Sequence, residues 1–334
     1  MTLVLRPLET GDYAAAAEMM LSLHNFHADA RPDLMLRRET PPSPEEFAQM
    51  LRENDSLAAE TDGRLAGFLL WQPRAYPEDL EEGRRAYDAF ALIDLYTLPQ
   101  FRRRGVATAL FSEVRARAEA AGAAFLELNV YHFNANAYAL YTQKFGMRPR
   151  RTSLELPLRN PLPPLPEAPA DVSVRPMDAD DYVPAADMMQ SLHNFHADAR
   201  PDLLLQKSQP DSEESFAALL QRRLCFMAEA GGRPAGMAIL ALRRFEKKPG
   251  SYFAPHAFGK GMALYVEPTF RRRGVATALL RAMLRACEER RLDSFQLKVY
   301  RFNAAAYALY TQGFSMQPMR SILELPLSGK GAAR

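Results

Sequence analysis

The chain has 334 residues, enough for two domains of ordinary size, each with a core of its own. Apolar residues at 48% and charged residues at 25% exclude a disordered or fibrous chain, and a formal net charge of +2 argues against binding to nucleic acid or to an anionic membrane. The start lacks a basic segment followed by an apolar one, and no stretch approaches the roughly 20 apolar residues that span a bilayer.

In chain order, a strand over 3–6 leads into a helix over about 11–23, and a second helix covers 44–53. Strands near 56–61 and 65–71 flank Asp62-Gly63, a hairpin turn. A strand over 90–98 precedes a helix over 104–121 whose Val106, Leu110 and Val114 share one stripe. A strand over 124–130, a helix over 134–144 and a strand over 150–156 complete the series. This alternation predicts an α/β fold. Cys225, in a strand-like run, and Cys287, on an apolar helix face, read as reduced, buried and structural, and a cytoplasmic protein fits.

The series then repeats. Residues 22–34 (SLHNFHADARPDL) recur unchanged at 191–203, and 101–110 (FRRRGVATAL) recur at 270–279, each 169 positions on. At the same offset 137–143 (AYALYTQ) return at 306–312 and 154–158 (LELPL) at 323–327. The chain therefore divides into an N-terminal domain, 1–158, and a C-terminal copy, 171–327, a pseudo-dimer within one chain. Between them 159–170 (RNPLPPLPEAPA) reads as a semi-rigid proline linker, and 328–334 as a disordered tail.

The strongest chemical signal follows the proline that ends a strand-like run, Pro99 or Pro268. There Arg102, Arg103, Arg104, Gly105, Val106 and Ala107 open a helix, as do Arg271, Arg272, Arg273, Gly274, Val275 and Ala276. A helix N-terminus presents unpaired N–H groups and the positive end of its dipole, which suit an anion. The glycine lets a diphosphate approach the backbone, and the arginines add charged donors. Three arginines alone also read as a solvated turn or a nucleic-acid patch; duplication with identical flanks favours the phosphate site.

This run resembles the Arg/Gln-x-x-Gly-x-Gly/Ala signature of the GNAT superfamily of acyl-CoA-dependent N-acyltransferases. The likeness extends to RPLETGDY at the start, to DLYTLPQFRRRGVATAL and ALYVEPTFRRRGVATAL, and to LNVYHFNANAYALY and LKVYRFNAAAYALY. It covers nearly all of both halves in the family's order, and the two-domain layout is similar to that of mycothiol synthases. The resemblance implies a mixed, mostly antiparallel sheet of six or seven strands per copy. Its fourth and fifth strands splay around the pantetheine arm of acetyl-CoA. The backbone of Leu95, Tyr96 and Thr97, and of Leu264, Tyr265 and Val266, would bond that arm, with the arginine turns on the pyrophosphate.

Acetyl transfer to an amine needs a base, donors for the oxyanion and a proton for the leaving thiolate. Asn134 and Tyr141 are seven apart on one predicted helix face, as are Asn303 and Tyr310. The resemblance makes each tyrosine a general acid and each asparagine an anchor for the arm; packing on the core is the plainer reading. Asp94 and Glu127, with His132, would serve the amine in the first half, or simply pair with arginines; their twins are Ala263, Gln296 and Arg301. His24, His27, His193 and His196 fall where the family shapes its acceptor pocket. Two histidines without a third ligand make a poor zinc site, and no metal is expected. A small-molecule amine is the expected acceptor, with CoA-binding modules lacking catalysis as the alternative.

Overall fold

The computed structural model describes residues 2–158, 165–248 and 250–327; residues 159–164 of the expected linker and the expected tail at 328–334 lie outside the described residues. The first half runs β1 (Leu3–Arg6), α1 (Tyr13–Ala30), α2 (Pro44–Glu53), β2 (Asp55–Thr61), β3 (Arg64–Tyr76), β4 (Tyr87–Thr97), α3 (Val106–Ala120), β5 (Phe125–Tyr131), α4 (Ala135–Ala139) and β6 (Arg148–Pro157). The second half runs β7 (Val172–Pro176), α5 (Tyr182–Ala199), α6 (Glu213–Arg222), β8 (Leu224–Ala230), β9 (Arg233–Phe245), β10 (His256–Val266), α7 (Val275–Glu289), β11 (Ser294–Tyr300), α8 (Ala304–Ala308) and β12 (Gln317–Pro326). Among the described residues no helix is long and apolar enough to cross a membrane.

Local chemistry explains most boundaries. Ser43 caps α2 by accepting from the Glu46 N–H, and Pro44 occupies the first helical position. Helix α1 continues about two turns past the expected end near residue 23, so His24 and His27 lie on it rather than after it. No glycine or proline interrupts 23–30, and Pro32 disfavours a helical Arg31, which ends the helix. The expected helix over 134–144 is α only as far as Ala139; Leu140–Lys144 is a π turn, with the Phe145 N–H bonded to Leu140 O. Tyr141 sits in that turn, and Tyr310 sits in its twin, Leu309–Gly313. Such π turns concentrate at functional sites.

The sequence suggests two self-contained sheets, whereas the strands form one twelve-stranded sheet in the order β1-β2-β3-β4-β5-β12-β6-β11-β10-β9-β8-β7. Each half hands its last strand to the other. Strand β12 pairs antiparallel with β5, and β6 pairs antiparallel with β11. The exchanged strands also pair with each other, and Thr152 and Ser321, sequence twins, share a hydrogen bond of 2.9 Å where the pseudo-twofold axis passes. The cores follow the exchange. Leu154 and Leu156 pack with Val275, Leu279 and Phe295 of the second half, while Leu323 and Leu327 pack with Val106, Leu110 and Leu126 of the first.

Loops reinforce the seam. Leu36 N–H bonds Tyr252 O at 2.7 Å and Ala254 N–H bonds Leu34 O at 2.9 Å, so the α1–α2 loop rests on the β9–β10 loop of the other half. In mirror fashion Leu205 N–H reaches Gly83 O at 2.8 Å and Arg85 N–H reaches Leu203 O at 3.0 Å.

A shared sheet makes the halves one cooperative unit. Leu154→Ala should cost about 2–5 kcal/mol, as for other fully buried leucines. Urea unfolding followed by the single tryptophan, Trp71 in the first half, should shift together with far-UV circular dichroism. Two separated transitions would refute a common unfolding unit.

Candidate active site

Strands β4 and β5 run parallel and pair only over Ala89–Leu92 and Phe125–Leu128. Beyond that point they part. A bulge helps: the β3–β4 register shifts between Leu70 and Trp71, leaving Ile93 as the extra, exposed residue. Asp94, Leu95, Tyr96 and Thr97 keep their bonds to β3 but have no strand on the β5 side, so that backbone edge is open. Thr97 also carries a buried hydroxyl with no hydrogen-bond partner among the described residues. Strands β10 and β11 repeat the parting after Gly261 and Leu297, with Met262 as the extra residue and Leu264, Tyr265 and Val266 along the edge.

Helix α3 starts at the mouth of this gap. Gly67, which the sequence reading did not single out, makes the docking possible. A Cβ there would lie 2.5 Å from Tyr96 O and 3.2 Å from the Val106 side chain, and Gly236 stands in the same relation to Tyr265 and Val275. Its recurrence at the common offset is the signal that could have found it. In the turn itself Arg103 and Gly105 both take left-handed backbone, φ 62° and 88°, which curls the chain around the first amides of α3. Arg102 Nε donates to Thr97 O at 3.1 Å, tying the turn to the end of β4; Arg271 does the same to Val266 O. Arg103, Arg104, Arg272 and Arg273 are exposed at the mouths, and Val106, Ala107, Val275 and Ala276 form the first turns of α3 and α7.

The two turns differ in one respect. A Cβ on Gly105 would meet nothing, whereas one on Gly274 would meet Pro169 at 2.3 Å. The end of the linker lies against the second turn, held to α7 by Arg281, which donates to Pro166 O at 2.8 Å.

Tyr141 lies within electrostatic reach of Asp94, which stands on the open edge of β4. Tyr141 is buried, and its hydroxyl pKa is raised well above the usual tyrosine range, first by burial and then by the charge of Asp94. Burial likewise raises the Asp94 carboxyl, opposed by nearby His27. His27 Nδ1–H donates to Leu23 O at 2.9 Å, which leaves the lone pair of the neutral ring on Nε2. Its ring packs among Phe26, Tyr131 and Phe133, an aromatic wall that the sequence reading missed. Asn134 caps α4, its oxygen accepting from the Ala137 N–H at 3.2 Å, and Asn303 does so with Ala306. Tyr310 is pushed up to about 12 by burial alone, because Ala263 replaces Asp94.

Other expected site residues serve different ends. His24 and His193 donate to Leu36 O and Leu205 O at 2.8 Å, and Asn25 and Asn194 bracket the same loops, so much of the unchanged segment shapes the contact between halves. His196, against Tyr300 and Phe302, falls to about 4 through burial and nearby Arg151, so it is neutral at pH 7. Glu127, expected to serve the amine, is committed to the seam. Tyr76 donates to one of its oxygens at 2.7 Å and Arg150 to the other at 2.8 Å, so its charge is already matched. The twin positions are Gln296 and Met319, where carboxylate and guanidinium are absent together. His132 bonds Ser321 at 2.9 Å across the same seam. Among the described residues no group of three or more His, Cys, Asp or Glu side chains is placed to hold a metal.

Compared with known proteins, the chain matches the pattern described as the Acetyltransferase (GNAT) family twice, over residues 22–147 and 189–314. No curated protein matches it. Among solved structures it is similar to a GCN5-related N-acetyltransferase from Sphaerobacter thermophilus, at 19% identity over 98% of each chain with a TM-score of 0.46. A tandem GNAT protein from the clavulanic acid biosynthesis pathway aligns at 18% identity over 97% of this chain and 98% of that one, with a TM-score of 0.43.

Two outcomes test these environments. Glu127→Gln leaves the buried Arg150 with only the more distant Glu324, at 3.4 Å, and should cost up to roughly 3–5 kcal/mol in urea unfolding, most of it recovered in Glu127→Gln with Arg150→Met. Asp94, with its raised pKa, favours the fold while protonated, and that contribution is lost as pH rises through the folded-state value. Asp94→Asn should therefore raise the melting temperature at pH 7, with the gain shrinking toward zero as pH falls below about 3.9. A gain that persists at low pH would refute the desolvation of this carboxylate.

Proposed function

The chain belongs to the Acetyltransferase (GNAT) family, and we propose that it transfers an acetyl group from acetyl-CoA to a primary amine of a small molecule, with turnover centred in the first half. One observation carries this reading: the open edge of β4 places Asp94 within electrostatic reach of the buried Tyr141 hydroxyl, beside a turn left open at Gly105. When bound, acetyl-CoA supplies the acyl group as an activated thioester.

The residues fit that cofactor. The open backbone edge of Leu95–Thr97 and the unpartnered Thr97 hydroxyl offer hydrogen bonds to an amide-bearing arm. The curled turn at Arg103–Gly105 offers N–H groups and charge to a pyrophosphate. Asn134, its oxygen used in capping, keeps an amide NH₂ to steady the arm.

The acid and base roles divide by environment. Tyr141, kept protonated by burial and by Asp94, holds a proton for a departing thiolate. Asp94, raised above an ordinary carboxylate, attracts a cationic amine and accepts its proton more readily than an exposed aspartate does. His27 and the aromatic wall bound the side from which the amine arrives. The second half lacks the carboxylate, carries the linker against its turn, and fits a CoA-binding module without turnover.

Steady-state assays of acetyl-CoA turnover against a panel of amines test the proposal. Tyr141→Phe should lower kcat by about 100- to 10,000-fold with little change in acetyl-CoA affinity, while Tyr310→Phe should cost little. An inactive Tyr310→Phe with an active Tyr141→Phe would assign turnover to the other half. In calorimetry Arg103→Glu should weaken acetyl-CoA binding by about 1.5–3 kcal/mol per lost charge-assisted bond.

A further inference from the structure

The sheet face that carries Asp94 in the first half carries the opposite charge in the second. Cross-strand neighbours share a face, as do residues two apart on a strand. Lys260 pairs with Gln296, and Lys298, two residues on, pairs with Ser153 of the exchanged strand β6. On the far side of Ser153 stands Arg320 of β12. Arg243 pairs with Phe258, two before Lys260. Four cations thus share one face across β9, β10, β11 and β12, at the point where β10 and β11 part.

None of the four makes a side-chain hydrogen bond or ion pair among the described residues. The acids on this face are already engaged: Glu155 with Arg31 and Gln296, and Glu324 with Arg150 and Arg200. Lys298 is open to solvent, and desolvation followed by the charges of Lys260, Arg320 and Arg151 lowers its pKa. Lys260 is lowered in the same way, with Arg243, Arg223 and Arg320 as its charged neighbours. The end of α5 covers the same face beside Lys298, where His196 meets Tyr300.

The first half shows what changed. Ala91 stands at the position of Lys260, Asn129 at that of Lys298 and Asp94 at that of Ala263. Two cations have been gained and one carboxylate lost. Like charges held together without partners oppose folding, and their summed field attracts an anion to that face.

We propose that this cationic face of the second half binds a small multivalent anion, a molecule bearing phosphate or several carboxylates. Lys260 and Lys298 supply its charged donors, with Arg320 and Arg243 at the sides. The site is separate from the phosphate-binding turn of α7, and the assignment does not depend on acetyl transfer in the first half.

The test titrates the full chain, in saturating CoA and low salt, with inorganic phosphate and separately with citrate, by calorimetry. At least one probe should bind, and the one that binds tighter identifies phosphate or carboxylate as the recognised group. Lys260→Gln with Lys298→Gln should weaken that binding tenfold or more, and added salt should weaken it in the parent chain. Arg272→Gln, in the phosphate turn, should leave it unchanged. Without ligand the double variant should melt at the same temperature as the parent or higher, since repulsion is relieved. Absence of binding by both probes, undiminished binding in the double variant, or loss in Arg272→Gln instead would overturn the proposal. A lowered melting point in the double variant would also count against it, by showing that the lysines are held by contacts.

Discussion

The pairing of β6 with β12 is the constraint on which the rest of the molecule depends. These strands are sequence twins, and they lie antiparallel about the axis marked by the Thr152–Ser321 hydrogen bond. Two strands related by a twofold axis in this way can each bond a further strand on the outer edge. Here those outer strands are β5 and β11, one from each half. No edge is left at the centre, and the exposed edges of the sheet are the short strands β1 and β7.

The seam also sets the polar environment of both candidate sites. Burying Glu127, Arg150 and Glu324 together is tolerable because each finds a charge partner within about a hydrogen bond, Arg150 to Glu127 at 2.8 Å and to Glu324 at 3.4 Å. Arg31 closes the equivalent position by reaching Glu155 at 2.8 Å. Since Arg31 and Arg200 belong to the ends of α1 and α5, the same ion pairs hold those helix ends, and with them His27 and His196, over the strand gaps. The side of each gap that faces the helix end is therefore positioned by contacts that involve both halves.

Much of this was legible in the sequence because it is local. The basic turns that open α3 and α7 need a glycine in a left-handed position, and Gly105 and Gly274 occupy such positions. The hairpin at Asp62-Gly63 and the stripe of α3 are likewise set within a few residues. The strand exchange could not be read. LELPL occurs at the end of both halves, so the apolar pattern of β6 fits its own half and the other equally well. The role of Glu127 was hidden for a related reason. Its partner Arg150 is 23 residues away, and only the sheet brings the two together. Asp94 was visible as a residue type, but its raised pKa depends on the burial created by α1 above it, a tertiary property.

A different consequence concerns symmetry itself. In an assembly of two identical chains with this topology, every substitution appears twice, so a residue suited to one side of the axis must be suited to the other. A single chain is free of that rule. Phe90 and Ala118, which share the core of one half, become Gly259 and Cys287 in the other, where a Cβ on the glycine would fall 2.2 Å from the cysteine sulfur. Each such exchange is volume-compensated within its own half, and the carboxylate of one gap can become the lysines of the other without either copy seeing the change repeated. Covalent fusion thus turns a symmetric scaffold into two addresses that can be written independently, while the shared central strands oblige both to fold as one.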